Sequence, residues 1–178
     1  CPYCDFNSHQ AGETIPETAY IDALIRDLEQ DLPLVWGRTI QSIFIGGGTP
    51  SLFSAEAYDR LFSALRALLP IRADAEITLE ANPGTFEAAR FTDYRAVGIN
   101  RLSIGIQSFN GDSLTALGRI HDGKQAIRAA EIAHHAGFDS SSHLHGSAGQ
   151  TPSAIVSPAS EQHFLARRVE YYCAAGWG

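Results

Sequence analysis

The 178 residues are 44% hydrophobic and 19% charged, enough apolar content for one globular domain with a real core, and this excludes a disordered chain as the default reading. The formal net charge is -7 and the 13 Lys and Arg residues are scattered, which argues against a nucleic-acid partner because phosphate recognition needs clustered positive charge. No run approaches the roughly 18 apolar residues of a membrane span and no basic-then-apolar leader is present, so the chain is expected in the cytoplasm with at most peripheral membrane contact.

The chain opens on Cys1-Pro2-Tyr3-Cys4-Asp5-Phe6-Asn7-Ser8-His9. With Cys173 far away, the cysteines suit a reducing compartment and a metal site rather than a disulfide framework. Pro16 suits a helix start, and Tyr20, Leu24, Ile25 and Leu28 recur at helical spacing, predicting an amphipathic helix that ends near Pro33. Thr39 to Ile45 reads as a short strand rich in β-branched residues, running into Gly46-Gly47-Gly48-Thr49-Pro50. Ser54 is predicted to cap a helix with Tyr58, Leu61, Leu65, Leu68 and Leu69 on one face, followed by a strand over Glu76 to Glu80. Thr85 is the expected cap of a third helix, with Phe86, Ala89, Tyr94 and Val97 inward and Gly98 at its stop. Arg101 to Ile106 is the next strand, and Gly123 to Ala136, stopped by Gly137, the next helix. Beyond Phe138 the pattern fails. Asp139 to His145 has too little apolar content for the buried strand due there, and only Glu161 to Tyr172 regains helical spacing, so 139–178 is set apart as a divergent tail from a domain over 1–138.

Strands alternating with helices through short connections predict a parallel α/β sheet, because each crossover needs a helix to return the chain to the same edge. Every polar or glycine-rich segment follows the C-terminal end of a strand: Gly46 to Pro50, then Glu80-Ala81-Asn82-Pro83, then Gln107-Ser108-Phe109-Asn110. That distribution favours a barrel-type arrangement with its site at that face. A further strand is expected before Cys1.

Two thiolates at this spacing can chelate a metal, act as a redox pair or bind part of a cluster. Asp5-Phe6-Asn7-Ser8 reads as loop, unlike the helix that follows a thioredoxin-type pair, and His9 alone does not complete a zinc set. The glycine run can bring backbone N–H groups against a ligand. It is no P-loop, because no Lys-Ser or Lys-Thr follows, and Pro50 occupies the place of the spaced third glycine of a dinucleotide fingerprint. A tight turn without a ligand stays open as an alternative. Glu80 at the end of an apolar strand needs a partner, either a cofactor hydroxyl or amine or the guanidinium of Arg101. Gln107 offers a donor and an acceptor at the same face. Arg119 reads more readily as a solvated surface arginine than as an anion contact, and the His134-His135 pair as surface.

Cys1-Pro2-Tyr3-Cys4-Asp5-Phe6-Asn7-Ser8-His9, Ile45-Gly46-Gly47-Gly48-Thr49-Pro50-Ser51, Leu79-Glu80-Ala81-Asn82-Pro83-Gly84-Thr85 and Asn100 to Phe109 together resemble the radical S-adenosylmethionine superfamily, in particular its bacterial group of oxygen-independent coproporphyrinogen III oxidases and heme chaperones. The resemblance spans about residues 1–138. It implies an α/β fold, a partial (β/α) barrel with parallel strands, incomplete here because the first strand and the C-terminal part lie outside the sequence. It implies a 4Fe–4S cluster on three cysteines and S-adenosylmethionine, whose one-electron cleavage supplies a 5′-deoxyadenosyl radical. Carried over, Cys1 and Cys4 are the second and third cluster ligands with Tyr3 the aromatic between them. Gly47, Gly48 and Thr49 meet the cofactor's amino-acid end, and Glu80, Gln107 and Arg119 match further cofactor contacts. The family's first cysteine would precede Cys1, so the sequence reads as cut inside the motif and, as written, is expected not to hold the three-cysteine cluster. His143-Leu144-His145-Gly146-Ser147-Ala148-Gly149-Gln150-Thr151-Pro152 departs from the family pattern, lacks its acidic cofactor contact and keeps only the Gly-Gln-Thr-Pro end. Phe6 stands where the oxidases carry a further cysteine, which favours heme binding and delivery to acceptor proteins over oxidative decarboxylation of coproporphyrinogen. A cluster-free redox or scaffold protein is the remaining alternative.

Overall fold

Alternation along three strands turns one face of a sheet into a wall of aliphatic side chains, and helices gather against that wall. The computed structural model describes residues 15–84, 88–119 and 122–138 and the backbone of 141–143. In chain order the elements are α1 (Glu17–Val35), β1 (Ile40–Ile45), a 3-10 turn (Pro50–Leu52), α2 (Ala55–Leu68), β2 (Ile71–Ala81), α3 (Phe91–Ala96), β3 (Arg101–Gly105), α4 (Gly111–Ala116), α5 (Gly123–His135) and β4 (Ser141–His143). The strands are parallel and lie in the order β1-β2-β3-β4. Order in space therefore follows order in sequence without the reversal that an open doubly wound sheet carries at its switch point. That is the arrangement of a barrel wall.

Register divides the sheet into two chemical faces. Ile45, Leu79 and Leu102 are partners across three strands, and with Ile77, Ala81, Ile104 and Ile106 they meet Tyr58 and Phe62 of α2, Phe91 and Tyr94 of α3 and Ala126, Ala129 and Ala133 of α5 in one core. Small alanines let α5 approach the sheet closely; large aromatics fill the space under α2 and α3. The opposite face carries Phe44, Thr78 and Arg101 in one row and Glu80 beside Ser103 in the next. It is polar and leads to the glycine loop.

Local chemistry accounts for most boundaries and for the departures from expectation. Ser54 caps α2 by accepting from the Ala57 N–H at 3.2 Å, and Asp122 with Gln125 forms a reciprocal capping box on α5. α1 ends at Val35, two residues past Pro33, as expected from that proline. The inward stripe of α1 is centred on Ile21, whereas Tyr20 and Leu24 are exposed. Tyr20 instead lays its ring 5.3 Å from that of Phe53. Ala88 is buried and Ala89 exposed, a one-residue shift from the predicted inward face, while Thr85 and Phe86 lie outside the described residues. β2 starts at Ile71, earlier than the apolar run indicates, and an irregularity between Ile40 and Ser42 absorbs its extra residues. The short helix α4, absent from the sequence reading, is capped by the Asn110 side chain, which accepts from the Ser113 N–H at 3.0 Å. The largest correction concerns the segment after Phe138. Ser141–His143 pairs in parallel with β3 through Ser103↔Ser141 and Gly105↔His143, because ladder hydrogen bonds to a formed neighbour do not require apolar side chains. No helix among the described residues is long and apolar enough to cross a membrane.

Asn100 ties β2 to β3 at the end remote from the glycine loop: its Oδ1 accepts from the Ile77 N–H and its Nδ2 donates to the Ala75 carbonyl, both at 2.8 Å. Asn100→Ala leaves both backbone groups unsatisfied and is expected to lower stability by about 2 kcal/mol, read as a fall in the urea midpoint with an unchanged slope.

Candidate cofactor site

The site is built where the parallel strands end. Gly46, Gly47 and Gly48 carry the chain out of β1, and Gly47 (φ +82°) and Gly48 (φ +57°) adopt the left-handed backbone that side chains disfavour. A Cβ on Gly46 would lie 2.6 Å from a Phe44 ring carbon and 2.9 Å from Glu80 Oε2. The close approach has a purpose: Glu80 Oε2 accepts from the Gly47 N–H at 3.1 Å. A carboxylate on the polar side of β2 thus holds the loop that follows β1. Arg101, the alternative partner expected for Glu80, is paired with Glu76 at 3.2 Å.

The end of β3 repeats the device. A Cβ on Gly105 would meet Gln107 Nε2 at 3.1 Å and Arg119 Nη2 at 3.2 Å, so the missing side chain leaves room for those two. Arg119 is no solvated surface arginine. Its Nη2 donates to the Gly105 carbonyl at 2.7 Å and to Asn82 Oδ1 at 3.2 Å, bringing a cation across from the loop after α4 to the strand ends. Asn82 is a site residue that the sequence reading left as part of a polar segment; its signal was its place two residues after Glu80.

Gln107 is the most informative residue of the site. It is a non-glycine residue with φ +60°, a conformation that costs roughly 1–2 kcal/mol. Its side chain is buried, and Oε1 has no hydrogen-bond partner among the described residues. Strain and an acceptor unmet among the described residues meet in one residue, beside two glycines kept bare by Glu80 and Arg119, an arrangement that a donor-bearing ligand would suit. The acceptors Glu80 and Gln107 suit amine and hydroxyl groups. Those groups are what S-adenosylmethionine presents at its amino-acid end and ribose, so the residues present fit that cofactor.

The loop itself is anchored from behind. Tyr58 donates to the Pro50 carbonyl at 2.7 Å, the Tyr94 hydroxyl lies 2.7 Å from the Ser51 carbonyl and 2.8 Å from that of Phe53, and Arg90 Nη1 donates to the Leu52 carbonyl at 2.8 Å. Glu17 Oε1 and Oε2 accept from the Ser54 N–H at 2.9 Å and its hydroxyl at 2.5 Å, tying the start of α1 to the start of α2. Desolvation, then the nearby Tyr94, Glu17 and Tyr20, pushes the Tyr58 phenol well above its ordinary 10.0. Tyr3, Cys1 and Cys4 lie outside the described residues, and among the described residues no cluster of three His, Cys, Asp or Glu is placed to hold a metal. His134 and His135 are exposed on α5, as read from the sequence.

Two outcomes follow from these groups. Gln107→Gly relieves the left-handed strain and deletes the unmet acceptor, so its thermal stability is expected within about 1 kcal/mol of the parent while its affinity for S-adenosylmethionine falls, a split that calorimetry reads directly. The raised Tyr58 pKa makes a stability contribution that is whole below pH 10.0 and declines as pH rises further, since only the unfolded chain then releases the proton easily. Tyr58→Phe is expected to flatten that alkaline decline in urea midpoints relative to the parent.

Comparison with known proteins agrees with this geometry. The profile of the Radical SAM superfamily matches residues 1–157, running past Phe138. The chain is 54% identical over 133 residues to the heme chaperone HemW of Escherichia coli, an overlap of 75% of this chain and 35% of that protein. It is 49% identical over 157 residues to HemW of Haemophilus influenzae, covering 85% of this chain and 41% of that one. Among solved structures, the coproporphyrinogen III oxidase HemN of Escherichia coli superposes with a TM-score of 0.72 at 32% identity, over 86% of this chain and 36% of that chain. The sequence therefore spans well under half the length of these relatives. With a family match over most of its residues, parallel strands in barrel order and a glycine-lined acceptor site at their C-terminal ends, the chain belongs to the Radical SAM superfamily.

Proposed function

We propose that this chain is the cofactor-binding portion of a radical S-adenosylmethionine protein that binds heme and passes it to acceptor proteins. The observation that carries the cofactor half is Gln107, buried in a left-handed conformation beside Gly105 and Arg119, with Oε1 unmet among the described residues. Glu80 and Gln107 accept from the cofactor's amine and hydroxyl groups, Gly47, Gly48 and Thr49 flank its amino-acid end, and Arg119, steered by Asn82, supplies the positive charge for its carboxylate. Cys1 and Cys4, with Tyr3 between them in the sequence, would be two of the ligands to a 4Fe–4S cluster, and S-adenosylmethionine bound beside it would supply radical chemistry. Heme handling rests on the 54% identity to a protein named as a heme chaperone and on Phe6. A close pair, Cys1 and Cys4, with Cys173 far away is no disulfide framework, which supports action in a reducing compartment such as the cytoplasm.

The solved structure named as coproporphyrinogen III oxidase supports a second reading, oxidative decarboxylation of porphyrinogen propionates. The full-length gene product, with its cluster reconstituted without oxygen, separates the two. Hemin titration followed by absorbance is expected to give stoichiometric binding, and incubation with coproporphyrinogen III and S-adenosylmethionine to give no protoporphyrinogen. Turnover without hemin binding would establish the oxidase instead. In the same protein, Glu80→Ala is expected to weaken S-adenosylmethionine binding about tenfold or more, the loss of one charge-assisted hydrogen bond together with its hold on Gly47.

A further inference from the structure

The backbone from Pro50 to Phe53 has an unusual feature. Its four successive carbonyls are all reached by side chains from other elements: Pro50 by Tyr58, Ser51 by Tyr94, Leu52 by Arg90, and Phe53 by both Tyr94 and Arg90, at 2.7 to 3.2 Å. The 3-10 turn supplies its own bonds in addition, from Leu52 N to the Thr49 carbonyl and from Phe53 N to that of Pro50. Tyr94 is fully buried and Tyr58 almost so, and their rings meet edge-on at 5.9 Å. Both phenols are thus rigid struts rooted in the core, and both end on the four residues that follow the glycine loop.

We infer that Tyr94, with Tyr58 and Arg90, is a positioning residue for the cofactor: it fixes where Gly47, Gly48 and Thr49 stand, and does so without touching the ligand. This deepens the S-adenosylmethionine reading above and rests on it. The physical argument is one of preorganisation. A Cβ added at Gly47 or Gly48 would meet nothing within 4 Å among the described residues, so no packing there holds this stretch in place. Their front hold is the Glu80 hydrogen bond to the Gly47 N–H; behind them, Thr49 joins directly to the clamped turn. A loop of glycines pinned at both ends meets a ligand with its remaining backbone groups without the ordering cost that free glycines incur on binding. Release of the rear pin returns that cost to the binding equilibrium. The tie also reaches α1, since Ser54, next to the clamped Phe53, is gripped by Glu17.

The test compares Tyr94→Phe with Asn100→Ala in the full-length gene product. Both remove buried hydrogen bonds to backbone, but Asn100 acts on Ala75 and Ile77 in mid-β2, away from the glycine loop, so it reports the effect of lost stability alone. Calorimetric titration with S-adenosylmethionine is read together with hydrogen exchange at residues 46–53. Tyr94→Phe is expected to weaken binding by about tenfold and to speed exchange across 46–53, while Asn100→Ala lowers the melting temperature with unchanged affinity and unchanged exchange there. Equal affinity for the parent and Tyr94→Phe overturns the positioning role even if the variant melts earlier. Equal losses of affinity in both variants also overturn it, since they assign the effect to global stability. Failure of the parent to bind S-adenosylmethionine removes the cofactor reading; unaltered exchange at 46–53 in Tyr94→Phe then separately removes the clamp.

Discussion

The hydrogen bond from the Gly47 N–H to the Glu80 carboxylate joins the two halves of the site. Parallel pairing places Ile45 beside Leu79, so the residues that follow each strand emerge side by side, and Glu80 is next in line to meet whatever follows Ile45. Gly46 is bare because Glu80 and Phe44 occupy its side-chain space. A carboxylate at the end of an apolar strand would be costly without a donor; a glycine loop without a partner would be slack. Each supplies what the other lacks, and the register of two strands makes the meeting unavoidable.

From that junction the two faces of the sheet take different tasks. The helix side is a stability element: aliphatic strand residues, the Tyr58, Phe62, Phe91 and Tyr94 rings, and an alanine face on α5 form one core. The polar side carries the proposed cofactor contacts, and there it departs from good folding practice. Gln107 is strained and its Oε1 is unmet among the described residues, two glycines are left-handed, and charged Glu80 and Arg119 converge on strand ends. Local violations of this kind gather at functional sites because the surrounding fold over-determines them. Here the surrounding fold acts through Tyr94, whose hydroxyl carries the rigidity of the core to the back of the glycine loop.

Much of this was legible in the amino-acid order. Strand-ending polar segments located Glu80 and Gln107, helix caps such as Ser54 followed from side-chain chemistry, and β-branched runs marked β1 and β3. What escaped depended on partners distant in sequence. Tyr94 meets Ser51 across a separation of 43 residues, and a periodicity argument could only class it as inward. Arg119 read as surface because nothing local shows that Gly105 leaves room for it. β4 was missed because Ser141–His143 lacks strand-forming side chains and takes its order from pairing with β3.

Gln107 Oε1, unmet among the described residues, is proposed to await a cofactor donor. The most direct measurement is a crystal structure of the full-length gene product grown with S-adenosylmethionine. The account predicts a ligand amine or hydroxyl within hydrogen-bonding distance of Gln107 Oε1, with Gln107 still left-handed and the Glu80–Gly47 bond retained. S-adenosylmethionine bound elsewhere, with Gln107 satisfied by a neighbouring protein group, would contradict it.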